Sequence, residues 1–224
     1  GKLYWILDAY TTSSKFPYST PTRTSSGDIN YIRNSVKVVI DAYDGSMNYY
    51  VMDEKDPIIQ VYSRIFKGLF KPGSEMPDDL KMHIRYPEAL FNIQSRILLK
   101  YHMKNPNVFY NNEDLWEIPN QVYEDTQELM HSYYMVSSLP GQKKNEYILI
   151  LPFTPREKDN MIGFFIAKCD PPDYGELMLY QLPKDKLSYG PMQIEARINQ
   201  DAEISKQLTL WSQKGSSVIR GNML

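Results

Sequence analysis

Apolar and polar positions along the chain fall into two rhythms, one of period two and one near 3.6, and these predict the elements. Residues 3–9 read as a strand, followed by a Ser/Thr/Pro-rich loop over 11–26. At about 16 residues this loop exceeds the usual 12–15 of a structureless connection. Three readings are open for it: a functional loop, a segment that orders only against missing parts of a parent protein, or a mobile connection. Residues 36–53 predict a β-hairpin about Asp44-Gly45, since Gly accepts positive φ in a two-residue turn without steric cost. That turn sets Ala42 opposite Met47, Ile40 opposite Tyr49 and Val38 opposite Val51 on the drier, core-facing side. Lys37–Met52, Val39–Tyr50 and Asp41–Asn48 then pair on the wetter side, which makes Asp41 a surface carboxylate with an amide partner.

Asp56-Pro57 opens a helix, with Asp as N-cap and Pro at the first helical position. Ile58, Val61, Tyr62, Ile65 and Phe66 follow at helical spacing as one apolar stripe, and Gly68 ends it. Pro87-Glu88 starts a second helix reaching about Met103. Leu90, Ile93, Ile97 and Tyr101 form its stripe, widened by Phe91 and Leu98, and Asn105-Pro106 stops it. Residues 111–116 make a short helical turn at best, and 119–129 a further helix or a linker. The C-terminal half is strand-rich, at 133–139, 146–154, 162–168 and 175–182. Residues 192–199 alternate Met192, Ile194, Ala196, Ile198 with polar neighbours, the pattern of a half-buried strand. Asp201 then caps a helix carrying Ile204, Leu208 and Trp211. Hairpins beside grouped helices define an α+β fold, antiparallel hairpin-rich sheets with several packed helices. The chain reads as one domain, 1–224, with a candidate sub-boundary near 119–130.

Composition narrows the function classes. With 25 Lys and Arg against 27 Asp and Glu the net charge is −2, which argues against a nucleic-acid binder. The 42% apolar and 23% charged content excludes global disorder. The single cysteine, Cys169, excludes an intrachain disulfide and a paired-cysteine zinc or redox site; it ends an apolar strand and reads as a small buried residue. No apolar stretch approaches the ~20 residues of a membrane span, and no signal peptide is visible. Apolar runs at 3–7 and 218–224, with no starting Met, lead to the expectation that the chain is excised from a longer protein.

Several segments together resemble one family. They are Leu7-Asp8-Ala9-Tyr10-Thr11 with Phe16-Pro17-Tyr18-Ser19, the run from Asn30 to Lys37, and Asp41-Ala42-Tyr43-Asp44-Gly45. Then come His83-Ile84-Arg85-Tyr86-Pro87, Tyr101-His102-Met103, Phe109-Tyr110 and Trp116. Gly190-Pro191, the run from Glu195 to Asp201, Thr209-Leu210-Trp211, Gly215-Ser216 and Arg220-Gly221-Asn222 complete the set, in order along nearly the whole chain. The chain is similar to uncharacterised protein family 0182, a group of bacterial polytopic membrane proteins. Ser132 and Lys67 stand where the family pattern has proline, both in loops. The resemblance implies a bundle of N-terminal membrane helices followed by a large soluble region outside the cytoplasm, to which this chain would belong. It thus implies a cell-membrane location on the extracytoplasmic side, with attachment through missing parts of the parent. It brings no catalytic residues.

The residues themselves offer little established chemistry. His83, His102 and His131 lack the i, i+4 spacing of a helix-borne zinc pair, and His83 and His102 flank a helix about 24 Å long. Asp41, Asp44, Asp53, Glu54 and Asp56 lack the spacing of a helix–loop–helix calcium site and read as turn formers and caps. Neither a serine elbow, a Cys/His pair nor a Gly-rich phosphate loop is present. No metal and no cofactor is therefore expected. His83-Ile84-Arg85-Tyr86-Pro87 precedes a helix N-terminus, where Arg85 would help hold a carboxylate or phosphate. The bland alternative pairs Arg85 internally and packs Tyr86 as a hydrophobic staple. The 18 tyrosines suit either a partner or glycan surface or, as for Tyr49 and Tyr62, the core. The candidate ligand-binding residues are His83, Arg85, His102, Asp41 and Asp8. The first reading is an interaction or ligand-binding region without catalysis, its partner a protein or an envelope ligand and not a nucleic acid. The alternative is a cell-envelope enzyme, a metal-assisted hydrolase or transferase, using Asp8 or Asp41 near His83 or His102.

Overall fold

The first strand, β1 (Tyr4–Ser13), leads through the short hairpin β2 (Thr22–Thr24) and β3 (Gly27–Ile29) into the long β4 (Tyr31–Asp41). After β5 (Met47–Val51) come the helix α1 (Pro57–Ile65), β6 (Phe70–Pro72), the short α2 (Asp78–Lys81) and α3 (Glu88–Tyr101). The computed structural model describes residues 1–221 apart from 26, 124, 125, 143, 184 and 214. The end of the sequence-predicted loop at Ser26 and the last residues of the 218–224 run therefore lie outside the described residues. The fold is α+β, and the chain divides into two compact units, Gly1–Ile93 and Gln94–Leu224.

In the first unit the sheet order is β1-β4-β5-β6, antiparallel except for the β5–β6 pair. The β4–β5 hairpin closes more widely than a two-residue turn. Asp41 N–H donates to the Ser46 carbonyl at 3.0 Å and Gly45 N–H, at φ 73°, to the Asp41 carbonyl at 2.9 Å. The pairs are accordingly Ile40↔Met47, Val38↔Tyr49 and Val36↔Val51, two residues away from the sequence-derived register. The side chains of Asp41 and Asp44 accept the N–H groups of Tyr43 and Ser46, at 2.9 and 2.8 Å. These local turns favour the longer loop over the simple Asp-Gly turn. A slide of two keeps every side chain on its face. The dryness assignment, however, is corrected. Val36, Val51 and Ile59 form a core cluster on the expected face, yet Lys37, Val39 and Tyr50 on the opposite face are buried too. Asn48 bonds Lys71 and stands opposite Val39, so it is not the partner of Asp41.

Asp56 caps α1 as expected, its side chain accepting the Ile58 N–H at 3.0 Å. The stripe of that helix does not face the core. Only Ile59 is buried, while Val61, Tyr62, Ile65 and Phe66 are 54, 46, 62 and 51% exposed. Periodicity defines an apolar side of a helix, but not what covers it. In α3 the fully buried positions are Phe91 and Ser95, four apart, with Ile97 and Tyr101 exposed; the buried side is rotated from the predicted stripe.

The second unit continues with α4 (Pro106–Asn111), β7 (Trp116–Glu117), β8 (Asn120–Tyr123) and β9 (Thr126–Leu129). Asn105-Pro106 thus also opens a helix, Asn105 accepting the Asn107 N–H at 2.9 Å, and 119–129 holds a strand pair instead of a helix or linker. β10 (Tyr133–Ser138), β11 (Asn145–Pro155), β12 (Gly163–Lys168) and β13 (Leu177–Gln181) form an antiparallel sheet in that order, and β7 joins the end of β11. Ile148, Ile150, Ile166 and Leu139 form a core on one side, and Leu149, Leu151 and Phe153 bury the other. Residues predicted as a period-two strand at 192–199 are helical, in α5 (Pro191–Gln200). Gly190-Pro191 is a helix start, and burial at Pro191 and Glu195 with partial burial at Ile194 and Ile198 follows the helical period that the alternation masked. α6 (Ala202–Trp211) starts on Asp201, which accepts the Glu203 and Ile204 N–H groups at 3.0 Å each.

Candidate functional site

Asp8 and Lys37 stand directly opposite each other on β1 and β4. The Lys37 side chain is 2% exposed, pairs with the Asp8 carboxylate and reaches the Arg85 carbonyl oxygen at 3.3 Å. The buried ammonium therefore joins two strands to the segment between α2 and α3. Of the sequence-derived candidates, Asp8 and the backbone of Arg85 meet here, around a lysine that the sequence reading treated as part of a wet face. An alternating strand pattern carried no signal for a buried cation.

Asp41 lies four residues further along β4, about 13 Å away at ~3.3 Å per residue, where it shapes its own loop and faces Lys2 at 3.9 Å. His83 and the Arg85 side chain are exposed. Tyr86 packs edge-on against Phe91 with ring centroids 6.3 Å apart, and Phe91 N–H donates to the Pro87 carbonyl at 3.0 Å. This is the staple geometry at a helix start. His102 belongs to the second unit. Its side chain is 4% exposed and its ring stacks on Trp116 at 3.6 Å. Nδ1 donates to the Leu98 carbonyl at 3.0 Å, leaving Nε2 without a hydrogen bond among the described residues and 3.9 Å from the Asp114 carboxylate.

Two buried charge centres escaped the sequence reading. Asp56, expected only as a cap, also accepts hydroxyls from Thr11, Ser35 and Tyr31 at 2.5, 2.6 and 2.7 Å. Burial pushes its carboxyl up, but the hydrogen bonds from Ser35, Thr11, Tyr31 and the Ile58 N–H outweigh this and hold it at about 2. Burial, and then the bond to this carboxylate, push the Tyr31 phenol up to about 12. Such a carboxylate stays ionised at neutral pH and joins strand, loop and helix. Lys168 is buried among Glu176, Asp173 and Glu146, at 2.9, 3.4 and 3.6 Å. The hydrogen bond to Glu176 is the main influence and, with the three negative charges, overcomes burial to raise its pKa. Cys169 beside it is buried. Among the described residues no group of three or more His, Cys, Asp or Glu side chains is placed to hold a metal ion, and no helix is long and apolar enough to cross a membrane.

The largest departure from expectation is apolar. Besides the outer side of α1, the sheet face that α1 covers at Val36 and Val51 continues uncovered to Leu7 and Trp5, which pair with Val38 and Ile40 and are exposed. β1 is an edge strand of this sheet. Long edges and apolar patches of this kind mark surfaces made to be covered.

These features define an α+β region with structural charge centres and an uncovered apolar side. Residues 1–211 match the family described as Uncharacterised protein family (UPF0182), and the chain belongs to that family. A "UPF0182 protein" of Sulfurovum sp. is 58% identical over 226 residues, and one of Methanospirillum hungatei is 56% identical over 227. Each alignment takes in 100% of this chain and 25% of the relative. One of Trichodesmium erythraeum is 52% identical over 240 residues, covering 26% of its length. The chain thus spans about a quarter of the relatives it matches. No solved structure matches it.

Proposed function

We propose that this chain is the extracytoplasmic interaction region of a longer, membrane-anchored polypeptide, and that it works by docking without catalysing a reaction. The membrane and extracytoplasmic parts of this reading rest on the family resemblance. The docking part rests on one observation, the outward apolar side of α1 at Val61, Tyr62, Ile65 and Phe66. Its occupant is the remainder of the same polypeptide. The relatives carry about three times this chain's length beyond the matched span, which is ample chain to cover one helix and a sheet edge. Covering these four half-exposed side chains would contribute on the order of 4 kcal/mol. The commitment of Asp8 to Lys37, and of Asp56 to four donors, also favours a structural use of the carboxylates over an envelope hydrolase or transferase.

Limited proteolysis tests this reading. In the complete polypeptide, Ile65→Glu with Phe66→Ser is expected to speed cleavage near α1 at least tenfold. The 224-residue chain carrying the same changes should unfold at an unaltered temperature, because exposed substitutions cost little. Unchanged cleavage of the complete polypeptide would remove the docking face from the account.

A further inference from the structure

A cleft of about 470 Å³ opens in the second unit, within the size range of small-ligand sites. Its apolar lining comes from Leu99 of α3, Ile118 beside β7, Leu129 of β9 and Met192 of α5. Arg96 and Lys158 bring two cations to it, and both are exposed. Neither side chain makes a hydrogen bond or ion pair to another described residue. Two acids share the lining, Asp159 and Glu117, the latter accepting the Glu157 N–H at 3.0 Å.

The loop that carries Lys158 is built, not loose. Arg156 N–H donates to the Leu115 carbonyl at 2.9 Å and Lys158 N–H to the Pro155 carbonyl at 3.1 Å. Asn160 bridges to Tyr189. Gly190 lies so close to the Asp159 carbonyl that a Cβ there would collide with it. Glu157 is held at φ 62°, a left-handed conformation costly for a residue with a side chain. Strain of this kind is maintained where the surroundings over-determine a loop, and it concentrates at binding sites.

We propose that this cleft binds an amphiphilic organic anion, a phosphate or carboxylate ester or acid with an apolar body. The Arg96 guanidinium supplies the planar fork that matches two oxygens of such a group, and Lys158 adds a point charge. The apolar body lies against Leu99, Ile118, Leu129 and Met192. The exposed Asn120 amide, also in the lining, is left for polar atoms near the acid group. The cleft shares no residue with the apolar side of α1, and the inference stands or falls independently of the docking reading.

Calorimetric titration of the 224-residue chain with hexyl phosphate, inorganic phosphate and 1-hexanol tests it. Hexyl phosphate is expected to bind saturably, at least tenfold more tightly than either half-molecule. Arg96→Ala with Lys158→Ala should weaken it at least tenfold while leaving the unfolding temperature unaltered, since both side chains are exposed. No saturable binding of hexyl phosphate, equal binding of inorganic phosphate, or full binding by the double variant would overturn the proposal. A parallel arm uses vesicles of phosphatidylglycerol in phosphatidylcholine. Vesicle binding lost in the double variant assigns the acid to a lipid headgroup. Hexyl phosphate binding without such a loss assigns it to a free amphiphile.

Discussion

Lys37 and Asp8 face each other across the β1–β4 ladder with the lysine side chain almost wholly removed from water. Burying an ammonium costs several kcal/mol unless it is paired, so the pair is weak evidence of net stabilisation and strong evidence of mutual dependence. Lys37→Met is expected to destabilise the chain by about 3 kcal/mol, because it strands the Asp8 carboxylate and the Arg85 carbonyl. Lys37→Met combined with Asp8→Leu should recover most of that loss. Urea unfolding of the two single variants and the double variant measures it. Additive losses would mean that the two side chains are not coupled.

Acid stability follows from Asp56. Its carboxyl lies at about 2 in the folded chain against 3.8 ordinarily. A depressed folded value gives stability that is fully present above the unfolded value and lost as pH falls through the folded one. The shift corresponds to about 2 kcal/mol, present above pH ~4 and gone below pH ~2. Urea unfolding between pH 7 and pH 2 should show the gap between the native chain and Asp56→Asn narrowing by that amount across this window. A gap that stays constant with pH would contradict the hydrogen-bond count at this carboxylate.

Gly190→Ala is expected to cost about 1–3 kcal/mol, as overpacking does, since its Cβ would meet the Asp159 carbonyl oxygen and the 156–160 loop would have to move. Thermal unfolding measures this. At Gly141, where nothing lies near the Cβ position but φ is 82°, the cost of alanine is conformational only and should be smaller.

Local signals in the chain were read well. Asp56-Pro57 and Asp201 begin helices, and strands at 146–154 and 162–168 lie where Pro and Gly bound them. These depend on neighbours within a few residues. The failures share a different cause. At Asp44-Gly45 the side chains of Asp41 and Asp44 chose a wider loop than the dipeptide alone predicts. At 192–199 one set of residues satisfies both periods, and the Gly-Pro start decides for the helix. Along α1 the stripe was legible but its covering was not, because a sequence shows which side is apolar and not which partner meets it. Lys37, Lys168 and the full set of donors to Asp56 were invisible for the same reason: they are gathered from strands, loops and helices far apart in the chain. The cleft lined by Arg96 and Lys158 unites residues 62 positions apart without any motif.

The docking account is tested most directly by thiol labelling at Ile65. The native chain has a single cysteine, Cys169, and it is buried, so Ile65→Cys provides one reactive position on α1. In the 224-residue chain alone this thiol should react with a maleimide at the rate of an exposed cysteine. In the complete polypeptide the account predicts labelling at least tenfold slower. Equal rates in the two would contradict it.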